Sequence, residues 1–153
     1  MTDMFIGIDP GASGGIAGIC RTKLGNIIRV LKPFKNTEEA NNNIKECLKY
    51  EPTTVTACIE NVHAFPTDAR SRAFAFGTNF GIWLGMLTAF SISHNRVTPS
   101  TWQSHFGSFP KEKKHRKNAI KDIAKERFPN TDKITLATAD AILIALYAKE
   151  EKC

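Results

Sequence analysis

The sequence predicts an α/β domain in which helices flank a mixed central β-sheet. Three apolar, strand-like segments come first, at residues 4–10, 14–21 and 26–34. Helical and strand-like patterns then alternate to the end of the chain, an order that is typical of α/β proteins. The length of 153 residues, with 42% hydrophobic and 24% charged residues, suits one folded domain over residues 1–153.

The first three segments are predicted to form a three-stranded meander. The apolar run at residues 4–10 stops at Pro10, which has no N–H to donate to a neighbouring strand. Gly25 and Asn26 mark a turn between the second and third segments. The loop "PGASGG" directly follows Asp9, so the first strand ends on a carboxylate beside flexible backbone. Asp9 therefore either caps a tight turn or is held there to bind a charged group.

The middle of the chain changes to a helical pattern and then returns to a strand. Thr37 can cap a helix over residues 37–50, and Glu38 and Glu39 favour its first turn. The β-branched, apolar segment 53–61 predicts a central strand that ends near Glu60. The remaining predicted elements are a long helix at 68–90, a short strand at 91–99, a basic helix within 111–127 and a last helix from about 135 to 149.

The cysteine spacing and the hydropathy pattern indicate an intracellular protein. No apolar stretch reaches the length of a membrane span, and the N-terminus lacks the charged and apolar regions of a signal peptide. The cysteines form no CxxC pair and have no histidines at zinc-ligand spacing. We therefore expect reduced thiols, a cytoplasmic location and no structural zinc. The four cysteines are Cys20, Cys47, Cys58 and Cys153.

Three carboxylates stand at positions that suit a metal site. Asp9 and Glu60 each end a predicted buried strand, and ligands of open α/β sheets bind at that edge. Asp140 lies within a segment that is otherwise apolar or small, where an unpaired charge is costly. Any one of these acids alone is explained by a cap or an ion pair, but the three together favour Mg²⁺ or Mn²⁺, which prefer carboxylate oxygens.

Most of the net charge of +6 lies in one segment. Residues 111–127 hold eight Lys or Arg against three acids, which leaves five positive charges in seventeen residues. A basic block of this kind suits a polyanion such as nucleic acid. A solvated face of a helix is the alternative interpretation of the same pattern.

Small residues recur every four positions along the predicted helix at 68–90. They form one stripe, although glycine normally costs about 1 kcal/mol in the interior of a helix. Either this stripe packs against the chain's own sheet or last helix, or it is a subunit interface at which two copies of the helix meet. The stripe consists of Ala69, Ala73, Gly77, Gly81, Gly85 and Ala89.

Four segments, in this order and spacing, carry a resemblance to a known family. They are "IGIDPGASGGIAGI", "ACIENV", "RVTPSTWQ" and "TADAILIALY". The chain resembles RuvC-type Holliday junction resolvases, and the compact phage-like members most, over almost its whole length. The resemblance implies an RNase H-like fold, a homodimer, a location in a bacterial or phage-infected cell, and Mg²⁺-dependent, symmetrical nicking of four-way DNA junctions.

The resemblance also implies roles for individual residues. Asp9, Glu60 and Asp140 match the metal-binding, catalytic carboxylates, and Lys117 is expected to reach the phosphate at the cut. The segment after Glu60 is expected to stack on or wedge between bases, although its aromatic residue also suits a hydrophobic staple at the next helix. The other expected DNA contacts are His63, Phe65, Arg70, Arg72, Lys113, Lys114 and Arg116, and the expected dimer interface is Ala73, Gly77, Gly81 and Gly85.

The chain departs from the family pattern at two positions. Ala137 stands where bacterial members have a fourth acid, three residues before the last one. The chain either uses three acids, borrows a ligand such as Asp132, or is inactivated; loss of a ligand is expected to slow cleavage without abolishing junction binding. Gln103 replaces a frequent lysine after Trp102, whose side chain either packs under the sheet or faces a base.

Two other functions fit parts of the sequence. Ala137 motivates a non-catalytic protein that binds junctions without cutting them. An Asp followed by a glycine-rich turn also occurs in actin-like phosphotransfer folds, where it cradles ATP phosphates. That fold generally needs a duplicated domain and a second glycine loop, and 153 residues supply neither. The sequence therefore favours a dimeric, metal-dependent endonuclease acting on branched DNA.

Overall fold

A five-stranded mixed sheet forms the centre of the molecule. The computed structural model describes residues 2–61, 63 and 67–151. Within these residues the strands lie side by side in the order β3-β2-β1-β4-β5. Their bounds are β1 Asp3–Asp9, β2 Gly15–Thr22, β3 Gly25–Leu31, β4 Thr54–Glu60 and β5 Ser93–Val97.

Strand pairing agrees with the predicted topology. β1, β2 and β3 pair antiparallel, which confirms the meander, and β4 and β5 join the same sheet parallel to β1. In the parallel pairing, Ile8 of β1 lies opposite Ile59 of β4. The ends of these two central strands therefore lie next to each other at one edge of the sheet.

Five helices cover the two faces of the sheet. α1 and α2 pack on one face, and α3, α4 and α5 on the other, so that each face has its own apolar core. None of the helices among the described residues is long and apolar enough to cross a membrane. Their bounds are α1 Thr37–Leu48, α2 Arg70–Ala89, α3 Pro99–His105, α4 Lys113–Arg127 and α5 Ala139–Glu151.

Alternation along the central strands decides which side chains face α5. Met4, Ile6 and Ile8 of β1 are buried in the core beneath α1 and α2. Because successive side chains of a strand point to opposite faces, the odd-numbered residues of β1 face α5. Cys58 of β4 is likewise in the α5 core. Both strands therefore end on a side chain that belongs to the α5 face.

Gly7 allows α5 to lie directly on β1. A Cβ at this position would be 2.8 Å from the Cα of Ala145, and closer still to the backbone oxygen of Ala141 and the backbone nitrogen of Ala145. Only glycine fits between a strand and a helix backbone at this separation. The contact sets the distance between β1 and the first turn of α5.

The structure corrects three predicted boundaries. The helix α3 was not predicted, because residues 91–99 were assigned to one strand; β5 ends at Val97, and Thr98 caps α3 by accepting a hydrogen bond from the backbone N–H of Thr101. Asn36, rather than Thr37, caps α1 through its side-chain oxygen. The last helix begins at Ala139, after a turn that Thr138 stabilises by donating to the backbone oxygen of Lys133.

Helix α2 buries only a small part of its surface. Among its described side chains only Trp83 and Leu87 are fully buried, and Trp83 makes an edge-to-face contact with Phe34. Phe74 is 78% exposed. A Cβ added at any of the three stripe glycines would meet no atom within 4 Å. The interpretation that the stripe packs closely against the chain's own sheet or last helix is therefore wrong.

Candidate metal centre and nucleic-acid interface

The parallel pairing of β1 and β4 brings two carboxylates together. Asp9 is the last residue of β1, and Glu60 is the last residue of β4, one position beyond the paired residues Ile8 and Ile59. Both side chains project toward α5, since they share strand parity with residues of that face. The prediction that these acids meet at one sheet edge follows directly from this register.

Helix α5 adds the third carboxylate and α4 adds a cation. Asp140 lies in the first turn of α5, two residues after the turn ends at Thr138, and the residue is only 6% exposed. Its Oδ2 accepts from the ammonium group of Lys117, in an ion pair that joins α4 to α5. Its Oδ1 is buried and has no hydrogen-bond partner among the described residues.

The loop after β1 holds Asp9 in place. The backbone N–H of Gly11 donates to Asp9 Oδ1 at 3.0 Å, and the N–H of Gly14 donates to the oxygen of Gly11 at 2.9 Å. A Cβ on Gly14 would lie 2.6 Å from Asp9 Cγ. Asp9 thus does cap a turn, and this hydrogen bond uses one of its two carboxylate oxygens.

Trp102 positions Glu60. Its indole Nε1 donates to Glu60 Oε2 at 2.7 Å, and its ring is completely buried beneath the sheet. The prediction that Trp102 packs under the sheet is therefore confirmed, and the alternative that its ring faces a DNA base is wrong. The hydrogen bond was not foreseen. The Thr98-Pro99 pair could have indicated only the helix that carries Trp102, because a Thr cap before Pro at the first position typically starts a helix.

Burial and mutual repulsion disfavour the charged forms of these acids. Burial is the main cause that raises the pKa of Asp9, partly offset by the Gly11 N–H, and the charge of Asp140 raises it further. Burial also raises the pKa of Glu60 to about 7, with a further contribution from the charge of Asp9. Each of these acids thus disfavours the charged form of a neighbour, and a bound cation would relieve that repulsion.

Glu60→Gln is expected to stabilise the protein in chelating buffer. Glutamine keeps an oxygen for Trp102 but carries no charge, so it resembles the protonated acid. Because the folded protein raises the pKa of Glu60, protonated Glu60 contributes fully to stability below about pH 4.5, and this contribution is lost as the pH rises through about 7. Glutamine cannot lose a proton, so the variant keeps that contribution at high pH. The gain in unfolding free energy should grow over that interval, to at most about 3 kcal/mol.

Urea unfolding with EDTA at pH 5 and pH 8 measures this gain. The exposed Glu126→Gln, on the last turn of α4, is the matched control and should change stability by less than about 0.5 kcal/mol at both pH values. Destabilisation by Glu60→Gln at pH 8 would contradict this account of the site.

The donor set fits a hard divalent cation. All three side chains supply carboxylate oxygens, and Asp140 Oδ1 is a buried atom without a partner. Within the described residues, no three acidic, His or Cys side chains converge into a ready-made cage. Mg²⁺ does not need one, since it is commonly bound through one or two carboxylates and keeps several waters.

A cavity beside Asp9 gathers three of the predicted DNA contacts. It has a volume of about 510 Å³. Its lining includes the loop residues Gly11–Ser13 together with His63, Arg72 and Lys113. These come from three different parts of the chain and form a cleft beside Asp9 in which two cationic side chains, Arg72 and Lys113, outnumber one acid, Asp68.

The other predicted DNA contacts are distributed around this cleft. Arg70, at the start of α2, and Lys114, on α4, are exposed. Arg116 donates to the backbone oxygen of Lys111 at 2.7 Å, so part of its guanidinium stabilises the turn before α4. Lys117 is paired with Asp140, and a phosphate contact of this residue stays a prediction. Phe65 lies outside the described residues.

Ala137, which stands where the family has a fourth acid, lines a different cavity. Ala137 is partly buried and lines a space of about 610 Å³ together with Asp132, Ser13 and Lys133. Asp132 is exposed, and none of the three clustered carboxylates lines this space. No observation therefore places Asp132 in the carboxylate cluster as a substitute ligand.

Solved structures of the same fold cover nearly all of the chain. Thermus thermophilus RuvC in complex with a Holliday junction substrate has a TM-score of 0.63 and 16% identity, covering 100% of this chain and 98% of that one. A second structure of Thermus thermophilus RuvC has a TM-score of 0.56 and 19% identity, covering 99% and 97%. The yeast mitochondrial Holliday junction resolvase Ydc2 has a TM-score of 0.52 and 14% identity, covering 92% and 76%.

These similarities concern the fold. No protein-family model and no curated protein matches the chain. The predicted α/β class and the predicted RNase H-like fold are confirmed, because the five-stranded mixed sheet with its flanking helices is that of the RuvC structures.

Proposed function

We propose that this chain is a divalent-metal-dependent endonuclease that resolves four-way DNA junctions, or other branched DNA, by paired phosphodiester nicks. One observation carries the proposal: Asp9 and Glu60 end adjacent parallel strands on the face that α5 covers, Asp140 lies in the first turn of α5, and Arg72 and Lys113 line the cleft beside Asp9. The fold is that of solved Holliday junction resolvases, one of them in complex with a junction. Fold, acids and basic surface therefore support the same chemistry.

The carboxylates of Asp9, Glu60 and Asp140 would hold Mg²⁺, for which Mn²⁺ can substitute. When bound, such an ion activates water and stabilises the charge that develops during phosphodiester hydrolysis. The chain's own groups set the geometry: the Gly11 N–H orients Asp9, and Trp102 orients Glu60. Asp140 is buried and Asp9 and Glu60 are partly buried, which strengthens their attraction for a cation.

The DNA backbone would follow the cleft and the basic surface of α4. Arg72 and Lys113 would neutralise phosphates close to the carboxylates, while His63 stacks on a base. The flanking contacts would come from Arg70, Lys114 and Arg116, with Phe65 as a second stacking residue. Lys117, which is paired with Asp140, would face the phosphate at the cut.

The exposed face of α2 would form a homodimer. Its glycines are open to solvent, and Phe74 exposes a large apolar ring beside them. Small residues permit two helices to approach closely, and a twofold axis would then place two carboxylate clusters for nicks on opposing strands. The proposed contact residues are Ala73, Gly77, Gly81 and Gly85.

Gly81→Arg is expected to convert the dimer into a monomer. The arginine would point into the proposed helix–helix contact and weaken it by about 2 kcal/mol or more. It should not disturb the fold, since a Cβ at Gly81 meets no atom within 4 Å. Light scattering coupled to size exclusion measures the mass. Leu24→Arg is the control, because Leu24 is fully exposed on the β2–β3 turn. A mass change shared by both variants, or by neither, would contradict the interface.

A junction-binding protein without catalysis is the second candidate. The Lys117–Asp140 ion pair favours it, because an ammonium group occupies one oxygen of a proposed metal ligand. Ala137 favours it as well, since its methyl group provides no ligand atom. This candidate predicts tight junction binding with no nicking in either Mg²⁺ or Mn²⁺.

The test compares a synthetic four-way junction with a linear duplex of the same sequences. The purified protein should bind the junction more tightly and nick it in Mg²⁺ or Mn²⁺, but not in EDTA. Equal cutting of both DNAs would leave a general nuclease. Binding without cutting would support the second candidate, and an absence of both would overturn the proposal.

A further inference from the structure

Two side chains of α2 line the cavity beside Asp9 and have no role in the DNA contacts proposed above. Phe76 and Asn79 are both partly buried, and they line this cavity together with the loop residues Gly11–Ser13. The small loop residues leave room for a ligand next to the helix. The volume of about 510 Å³ lies within the range of roughly 300–1,000 Å³ that is typical of small-ligand sites. The cavity therefore suits one nucleotide rather than a length of duplex.

Phe76 and Asn79 continue the packing face of α2. Further along the helix, Trp83 and Leu87 are buried in the core beneath α1 and α2. At about 100° per residue, all four positions fall within about 80° around the helix axis. One face of α2 thus packs on the core in its C-terminal half and stands over the loop after β1 in its N-terminal half. An asparagine in line with an apolar packing face is not explained by packing.

The proposed dimer contact uses a different side of α2. Gly77, Gly81 and Gly85 lie about 120–200° around the helix axis from Trp83. A partner helix on the glycine stripe would therefore leave the cavity open to DNA, so the two surfaces of α2 can be occupied at the same time.

The cavity offers the three kinds of contact that bind a nucleotide. Arg72 and Lys113 can neutralise its phosphate, and the ring of Phe76 is an aromatic surface for its base. The amide of Asn79 carries a donor and an acceptor in one plane. Within the described part of the chain this amide makes no hydrogen bond, so both groups are open to the edge of a base.

We infer that this cavity binds one unstacked nucleobase of the junction, with Phe76 stacked on its face and the Asn79 amide hydrogen-bonded to its edge. The inference rests on the proposed function and adds to it a base preference that Asn79 sets. Contacts to phosphate carry no sequence information, whereas a bidentate contact between an amide and a base disfavours the wrong base by about tenfold or more.

A pool of synthetic four-way junctions with randomised central base pairs tests the inference without any measurement of cleavage. The full chain binds the pool in EDTA, and the bound junctions are separated on a gel and sequenced. Wild type should enrich one base at one position by about tenfold over the starting pool. Asn79→Ala, whose fold circular dichroism checks, should enrich it by less than about twofold. Asn42→Ala removes the same amide from an exposed position on α1 and should keep the enrichment.

Phe76→Leu tests the stacking contact separately. Leucine keeps an apolar side chain but has no aromatic ring, so the affinity for all junctions in the pool should fall by about fivefold. The base preference should remain, because Asn79 is unchanged. An affinity equal to that of wild type would overturn the stacking role of Phe76.

The outcomes separate the inference from the proposed function, since the same pool incubated with Mg²⁺ or Mn²⁺ records cutting. Cutting without base enrichment would overturn the base pocket while the nuclease stands. Enrichment that survives in Asn79→Ala, or that is also lost in Asn42→Ala, would overturn it as well. Enrichment that depends on Asn79, without any cutting, would support the base pocket and contradict the nuclease. An absence of junction binding would overturn both.

Discussion

Asp9→Asn is expected to reduce the rate of junction nicking by on the order of 10³-fold. The substitution removes a charged ligand at the end of β1, and metal stabilisation of a phosphodiester transition state is worth several kcal/mol, each 1.4 kcal/mol being about tenfold in rate. Asparagine keeps an oxygen that can accept from the Gly11 N–H, so the loop should stay folded. Junction binding should remain within about threefold, because phosphate contacts dominate affinity.

Single-turnover nicking and fluorescence anisotropy with a labelled junction measure these two quantities. Asp132→Asn is the control, since Asp132 is exposed and lies in another cavity. It should leave both quantities unchanged. A wild-type nicking rate in Asp9→Asn would show that Asp9 is not a catalytic residue. Equal losses of nicking rate in the two variants would show a general effect of charge.

Gly7→Ala is expected to destabilise the protein by more than about 3 kcal/mol, or to prevent folding. Its Cβ would overlap the backbone of α5 at Ala141 and Ala145, which cannot give way as a flexible side chain would. The helix would have to move away from the sheet, taking Asp140 with it. Any folded fraction should therefore lose metal binding together with stability.

Urea unfolding measures the effect, and Lys125→Ala is the control. Lys125 is exposed on α4, outside the proposed dimer interface, and alanine is the residue that most favours a helix. The control should therefore not lower stability. A loss of less than about 1 kcal/mol in Gly7→Ala would contradict the close contact between β1 and α5.

The three-stranded meander and the two strand-end acids could be predicted because their signals are local. Apolar runs of strand length ended at Asp9 and at Glu60, and parallel strands in one sheet end at the same edge. The helix α3 was missed because it begins only two residues after β5, with no loop to separate the patterns. A cap followed by proline was the only local signal of its start.

The partners of the acids could not be predicted, because they are tertiary. Trp102 is 42 residues from Glu60, and Lys117 is 23 residues from Asp140. The family resemblance implied a phosphate contact for Lys117, which stays a prediction, but it did not indicate that this side chain pairs with Asp140. Similarly, the glycine stripe of α2 was visible in the sequence, but only the structure excludes the chain's own core as its packing partner.

A plasmid that extrudes a cruciform tests the central claim most directly. Paired nicks across the four-way junction linearise this plasmid, whereas independent nicks give an open circle. With Mg²⁺, the account predicts linear product with ends that map to the cruciform, and no linear product from Asp9→Asn or from a plasmid without the inverted repeat. Linearisation of both plasmids alike, or no cutting of the cruciform in Mg²⁺ or Mn²⁺, would contradict a metal-dependent junction resolvase.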